Sequence, residues 1–529
     1  LKIYNQIKMK TVTILGLLLA LILNGGCRRG NLTEAKVKLK DGVVQGTIED
    51  GLAVFRGIPF AAPPTGELRW KAPQPVVPWE GVLEAIRFAP SPVQARVQWM
   101  GDIEMSEDCL YLNVWTPARS KGEKLPVMVW IYGGGFSNGS TSGANGRNIA
   151  TNGVILVSVA YRLGALGFMA HPELSAESEN GVSGNYGILD QIAGLKWVQQ
   201  NIEAFGGDPS RLTIFGESAG AISVSMLCAS PLAEGLFSGA ISQSGGSFAP
   251  VSDSRGMGEY MSSLKGAEQQ GLVFAERMGA QGIKELRTIP YDRWLDDPLS
   301  QMGGFWPNAD GYVIAGDQYK LYRDGKYNDV NVIIGTNSDE GSMFVQPMEP
   351  EQYTDMIKAR FGPMSYRALE LYPGNDQTEV YHSMADIFEA TAFAWPSWVW
   401  AGLQSETGSS RVYMYYFDQF RPEPIFPGGP EPRGAAHAME IAYVFGTVSQ
   451  NPGMQATDEE KALSDIMVKY WTNFAKNGDP NGEGLPEWPV YRNGEKTIMH
   501  LKGTRPLTID IPDAERLEFI EEYFKWLRE

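Results

Sequence analysis

Gly216-Glu217-Ser218-Ala219-Gly220 constrains this chain more than any other stretch, because its flanks tie it to one local geometry. Residues 211–215 before it read as a short buried strand, and residues 221–227 after it as a buried helix. A serine between small residues at a strand-to-helix turn is a nucleophile elbow: the turn is sharp, and bulk on either side would clash. Such a turn lifts the Ser218 hydroxyl above the sheet and over the start of a helix, where main-chain N–H groups face a developing oxyanion. The five-residue pattern alone says little in a chain with 60 glycines, so the strand and the helix carry the reading.

A serine hydroxyl is a poor nucleophile at neutral pH, so a base must take its proton and an acid must orient that base. Only four histidines are available. His171 lies upstream in Phe168-Met169-Ala170-His171-Pro172. His382 falls in an amphipathic helix read over residues 380–393, and His500 in a strand-like run, residues 497–501. His437 stands in a small-residue loop, Gly434-Ala435-Ala436-His437-Ala438, which lets an imidazole project into a site, and it is the expected base. For the acid, the apolar strand 331–334 runs into Asn337-Ser338-Asp339-Glu340-Gly341. A carboxylate just past the C-terminal end of a strand is where open α/β sheets place functional groups, and Asp339 and Glu340 both qualify.

A buried strand over residues 127–131 leads into Gly133-Gly134-Gly135, where only glycine lets main-chain N–H groups approach a ligand this closely. Together with Phe55-Arg56-Gly57-Ile58-Pro59-Phe60, Ser106-Glu107-Asp108-Cys109-Leu110 and Phe205-Gly206-Gly207-Asp208-Pro209, these blocks resemble the type B carboxylesterase family, which includes cholinesterases and bacterial para-nitrobenzyl esterases. The resemblance runs from about Val37 to near the C-terminus. It implies an α/β-hydrolase fold: a large, mostly parallel mixed sheet with helices on both faces and helical insertions forming the pocket. It matches Glu340 to the acid and His437 to the base, in the order Ser218, Glu340, His437. It also implies an oxyanion hole from the N–H groups of Gly134, Gly135 and Ala219, one such donor being worth roughly 3–4 kcal/mol in a serine protease. Arg69 with Glu107 and Arg162 with Asp190 are implied as structural ion pairs. Glu217 is open: it orders water, tunes His437 or fills the elbow. The family's loop disulfide at the position of Cys109 has no upstream partner in residues 89–94, leaving the loop 91–106 to packing alone, while Cys228 reads as a small buried hydrophobe.

Composition narrows the partners. The 529 residues hold 45 basic and 62 acidic side chains, and the net charge of −17 disfavours nucleic acid and anionic membrane surfaces. A small-molecule ester is the expected partner, with no cofactor and no metal; oligomeric state is open. Aromatic candidates for the pocket wall are Trp99, Phe136, Phe248, Trp306 and Phe344, with Glu217 beside the nucleophile. Met9-Lys10, the apolar run 12–23 and Gly25-Gly26-Cys27 read as an export signal over residues 1–27, followed by a linker, 28–34, and one catalytic domain, 35–529. Cys27 fits either lipidation, the sole expected membrane link, or cleavage by ordinary signal peptidase, so an envelope or secreted location is expected. A non-catalytic adhesion relative of the same fold would be expected to lose one of the three residues, and all stand here. An amidase or thioesterase would use the same residues.

Overall fold

The computed structural model describes residues 32–95, 103–253, 260–301, 303–422, 431–450 and 455–529. Its centre is an eleven-stranded sheet among the described residues. The strands in chain order are β1 (Thr47–Glu49), β2 (Leu52–Pro59), β3 (Tyr111–Thr116), β4 (Leu125–Ile131), β5 (Ile155–Val159), β6 (Gly207–Glu217), β7 (Gly239–Gln243), β8 (Asn331–Asn337), β9 (Val412–Phe417), β10 (Thr497–Leu501) and β11 (Leu507–Asp510). In space they run β11-β10-β9-β8-β7-β6-β4-β5-β3-β2-β1. Pairings from β10 through β5 are parallel, and the strands outside them pair antiparallel.

The central strands are apolar at nearly every position, as strands covered on both faces must be; Val127, Met128, Val129, Ile155, Leu156, Val157, Ile333 and Ile334 are all fully buried. Register shows what covers them. Val159 continues the face that carries Val157, paired with Val129, and a Cβ on Gly194 of helix α1 (Tyr186–Asn201) would lie 2.5 Å from it. Gly239 pairs with Thr213, on the opposite face with Phe215 and its partner Trp130. Phe474 of helix α5 (Asp458–Asn477) packs there. Helices therefore lie on both faces, as expected. The remaining helices that bear on the site are α2 (Ala219–Ala229), α3 (Gln377–Glu389), α4 (Trp395–Thr407) and α6 (Ala514–Arg528).

Several local expectations change. The strand before the elbow is longer, Gly207–Glu217: Gly207 pairs with Leu125, and past a register shift Leu212 pairs with Val127. The helix expected over 380–393 ends as α-helix at Glu389 and widens into a π turn, Ala390–Ala394. Both ion pairs form: Arg162 meets Asp190 at 2.7 Å and Arg69 meets Glu107, while Arg69 also donates to the carbonyls of Arg287 and Ile289. Cys109 and Cys228 are free and buried. The stems of the 91–106 loop are not held by packing alone. Ser91–Pro92 pairs with Met105–Ser106, and the Gln94 amide exchanges two 2.8 Å hydrogen bonds with the main chain of Gly139. Residues 1–27 with Cys27, and Trp99, lie outside the described residues.

Candidate active site

Ser218 follows the last residue of β6 and stands at the N-cap position of α2, with φ 56° and ψ −124°. That left-handed conformation costs an L-residue about 1–3 kcal/mol and persists where the surroundings enforce it. The glycines around it show how. A Cβ on Gly220 would lie 2.1 Å from the Ile131 carbonyl oxygen, and one on Gly216 would lie 2.6 Å from Gly220. The elbow is thus pressed on to the end of β4, and nothing larger than glycine fits. A serine at an N-cap ordinarily spends its oxygen on the N–H groups of the first turn; Ser218 makes no such bond. Its hydroxyl stays unspent and the first turn of α2 keeps its N–H groups.

The segment after β4 brings a second set of donors. Gly134, Gly135 and Phe136 have φ of 98°, 60° and 58° in succession. Neither Gly134 nor Gly135 donates its N–H to a protein acceptor among the described residues. Phe136, which lacks glycine's freedom, is fully buried, with Phe168 and Trp306 rings each 5.0 Å away.

Glu340 lies three residues past β8 and is fully buried. Its Oε1 accepts from the Asn337 N–H at 2.7 Å, and its Oε2 lies 2.6 Å from His437 Nδ1. Asp339 turns elsewhere, accepting from the Ser342 hydroxyl and facing Arg433 at 3.6 Å. The loops carrying Glu340 and His437 are joined by main chain: Asp339 N–H donates to Ala435 O at 2.9 Å, and the Asn337 amide to Ala436 O at 2.9 Å. His437 Nε2, on the far side of the ring, lies 3.1 Å from Glu217 Oε1. Neither of these two atoms has an aligned hydrogen-bond partner. The nitrogen a base would use is enclosed yet unspent.

Charge is crowded here. Burial opposes a charged imidazole, but Glu217 and Glu340 flank His437 and push its pKa up to about 9. Burial pushes Glu217 up to about 8, with Glu440 and Glu340 adding to it and His437 opposing. Glu440, three residues past His437, is also raised by burial and by Glu340; it accepts from Asn337 at 2.7 Å and from Gln243 at 3.0 Å.

Aromatic rings close the site. Phe344, half-buried, stands edge-on 5.1 Å from the His437 ring, and Phe393 stacks on it at 4.5 Å. Trp306 is partly buried against Phe136, whereas Phe248 is fully buried between Tyr322 and Trp400. Sequence reasoning missed Phe393, Glu440 and Glu389, whose carboxylate accepts the Glu340 main-chain N–H at 3.0 Å. The i, i+3 spacing of His437 and Glu440 could have pointed to one face of a turn; for the other two no local signal exists.

The carboxylesterase family model matches residues 33–520. Fumonisin B1 esterase of Sphingopyxis macrogoltabida is 37% identical over 86% of this chain and 84% of its own length. Carboxylesterase 1F of Mus musculus is 36% identical, covering 86% of each. Para-nitrobenzyl esterase of Bacillus subtilis is 34% identical over 92% of this chain and 98% of its own. With that match over an eleven-stranded α/β sheet, the chain belongs to the type B carboxylesterase family: it is an α/β-hydrolase-fold enzyme that hydrolyses carboxylic esters.

Proposed function

We propose that the enzyme cleaves short-chain or aromatic esters through an acyl-enzyme on Ser218, with His437 as base and Glu340 orienting it. The observation that carries this reading is the enclosed 2.6 Å contact between His437 Nδ1 and Glu340 Oε2, with Nε2 and the Ser218 hydroxyl both left without a hydrogen-bond partner among the described residues. Glu340 holds the proton on Nδ1 and leaves Nε2 to accept one from Ser218 as the hydroxyl attacks the ester carbonyl. The carbonyl oxygen gains negative charge and is received by the N–H groups of Gly134, Gly135 and Ala219. Imidazolium then gives its proton to the leaving alcohol, and water repeats the sequence on the acyl-enzyme. The resting approach of Nε2 to Glu217 fits a site in which the serine contact tightens once substrate is bound.

Preference for short or aromatic acyl groups is supported by the likeness to the para-nitrobenzyl esterase and by the rings of Phe344 and Phe393 against His437. Para-nitrophenyl esters of rising chain length, with an anilide and a thioester alongside, test it. Butyrate-length or benzoyl esters are expected to be turned over best; preference for the anilide or thioester, or for long-chain esters at a lipid–water interface, would overturn the reading. Ser218→Ala is expected to cut kcat by on the order of 10⁶-fold with folding intact, and an organophosphate to leave its adduct mass on Ser218. An adduct on another serine would discard the assignment.

A further inference from the structure

The Glu340 turn is gripped from behind by helix α3 and the π turn that follows it. A Cβ on Gly341 would lie 1.9 Å from the Ala385 carbonyl oxygen, so the turn rests directly on the α3 main chain. One helical turn on, Glu389, the last residue of α3, accepts the Glu340 main-chain N–H on its Oε2 at 3.0 Å. The π turn then carries Phe393 on to the His437 ring at 4.5 Å. An inserted residue in a helix shifts the phase of everything beyond it, and π turns recur where a side chain must be re-aimed at a site. Here one short segment touches both members of the Glu340–His437 pair.

Glu389 is not there to pair with a cation. It lines a cavity of about 210 Å³ that also meets Ser397, Tyr415, Arg433 and Arg516. Both guanidinium groups are taken by Asp386, Arg433 at 2.6 Å and Arg516 at 2.9 Å. The Ser397 and Tyr415 hydroxyls are buried without a partner. The charged groups around Glu389 are thus Glu340 and Asp339 on the turn, Asp386 one turn back on α3, and Arg433, Arg516 and Asp513 around the cavity. Burial, with Glu340 and Asp386 next, pushes its pKa well above the usual carboxylate range, while its Oε2 still accepts the Glu340 N–H at 3.0 Å.

We propose that Glu389 is a positioning residue for the hydrolytic reaction, fixing the 339–341 turn through the Glu340 main-chain N–H so that the Glu340 carboxylate stays on His437 Nδ1. This rests on the roles given above to Glu340 and His437.

The test compares wild type with Glu389→Leu, Glu389→Asp, Glu389→Gln and Glu340→Gln. The readouts are kcat and KM on a para-nitrophenyl ester, the rate of organophosphate labelling, and the low-field proton resonance of His437 Nδ1–H. Glu389→Leu is expected to lower kcat and labelling about 10–100-fold with little change in KM, and to weaken or lose the low-field resonance. Glu389→Asp, too short to reach, is expected to fall in the same direction and reads the proposal if the leucine variant fails to fold. Glu389→Gln, whose amide oxygen accepts the same N–H, is expected to recover most of the loss and the resonance. Leucine and aspartate variants at wild-type kcat with the resonance intact would overturn the proposal, as would a glutamine variant no better than leucine. If Glu340→Gln collapses while Glu389→Leu does not, the error lies in this proposal; if Glu340→Gln itself keeps full activity, the error lies in the role given to Glu340.

Discussion

Two adjacent carboxylates follow strand β8, and only one of them meets His437. Glu340 Oε2 lies 2.6 Å from His437 Nδ1, whereas Asp339 is committed to Ser342 and Arg433. Glu340→Gln is therefore expected to lower kcat by on the order of 10³–10⁴-fold, and Asp339→Asn by less than about tenfold. Steady-state kinetics of the two variants decide it; equal losses would remove Glu340 from its role. The Glu217 carboxylate is the second determinant at this scale. Burial disfavours a charged His437, Glu217 and Glu340 outweigh it, and the pKa rises to about 9. Only the neutral imidazole accepts a proton, so kcat/KM should climb with pH through the range 7 to 9, later than for an ordinary histidine. Glu217→Gln takes away the carboxylate beside Nε2 and should move the acid limb to lower pH. A limb that stays in place or moves up in a pH–rate profile would show that Glu217 does not act on His437.

The elements set these residues at their angles. Strand β6, the elbow and α2 form one unit whose geometry is fixed by contact with the end of β4, where an added Cβ on Gly220 meets the Ile131 carbonyl oxygen at 2.1 Å. Main chain cannot give way as a flexible side chain can. Gly220→Ala is expected to destabilise the fold by about 1–3 kcal/mol and to lower kcat by tilting Ser218 away from its donors. A urea midpoint and kcat both unchanged would mean that the elbow is looser than this packing implies. This unit was legible beforehand, because strand, turn and helix are consecutive and their spacing is their geometry. The helix read over 380–393 was not: its apolar spacing is the same whether a turn holds one residue more or fewer, and only packing against Gly341 and His437 selects the π turn.

At the scale of the whole molecule, the chain closes on itself through its last helix. The apolar stripe on α6 buries Leu517, Ile520, Tyr523 and Phe524, with Phe524 stacked 4.2 Å from Trp395. Arg528, next to the last residue, reaches back to Asp317 at 3.0 Å, to the Phe248 carbonyl and over the Tyr319 ring at 4.3 Å. Arg528→Ala leaves the buried Asp317 carboxylate without its cation, and should cost about 3 kcal/mol in a denaturant titration. No change in midpoint would mean that the last turn of α6 contributes nothing to closure.

What the sequence determined by itself is the local geometry of parts that are neighbours along the chain: the Ser218 elbow, the glycine run after β4, and a carboxylate beyond an apolar strand. Each follows from which residues fit a turn of a given shape, and that is a local matter. Resemblance then chose Glu340 over Asp339, a choice the residues left open. Only the tertiary structure decided which groups meet across a separation of 97 positions, as Glu340 and His437 do, and that Glu217, Glu389 and Glu440 gather around them. Packing brings those carboxylates together, and burial sets their charge. No stretch of sequence specifies either, because both arise from the joint geometry of the C-terminal ends of the inner strands β6, β7, β8 and β9.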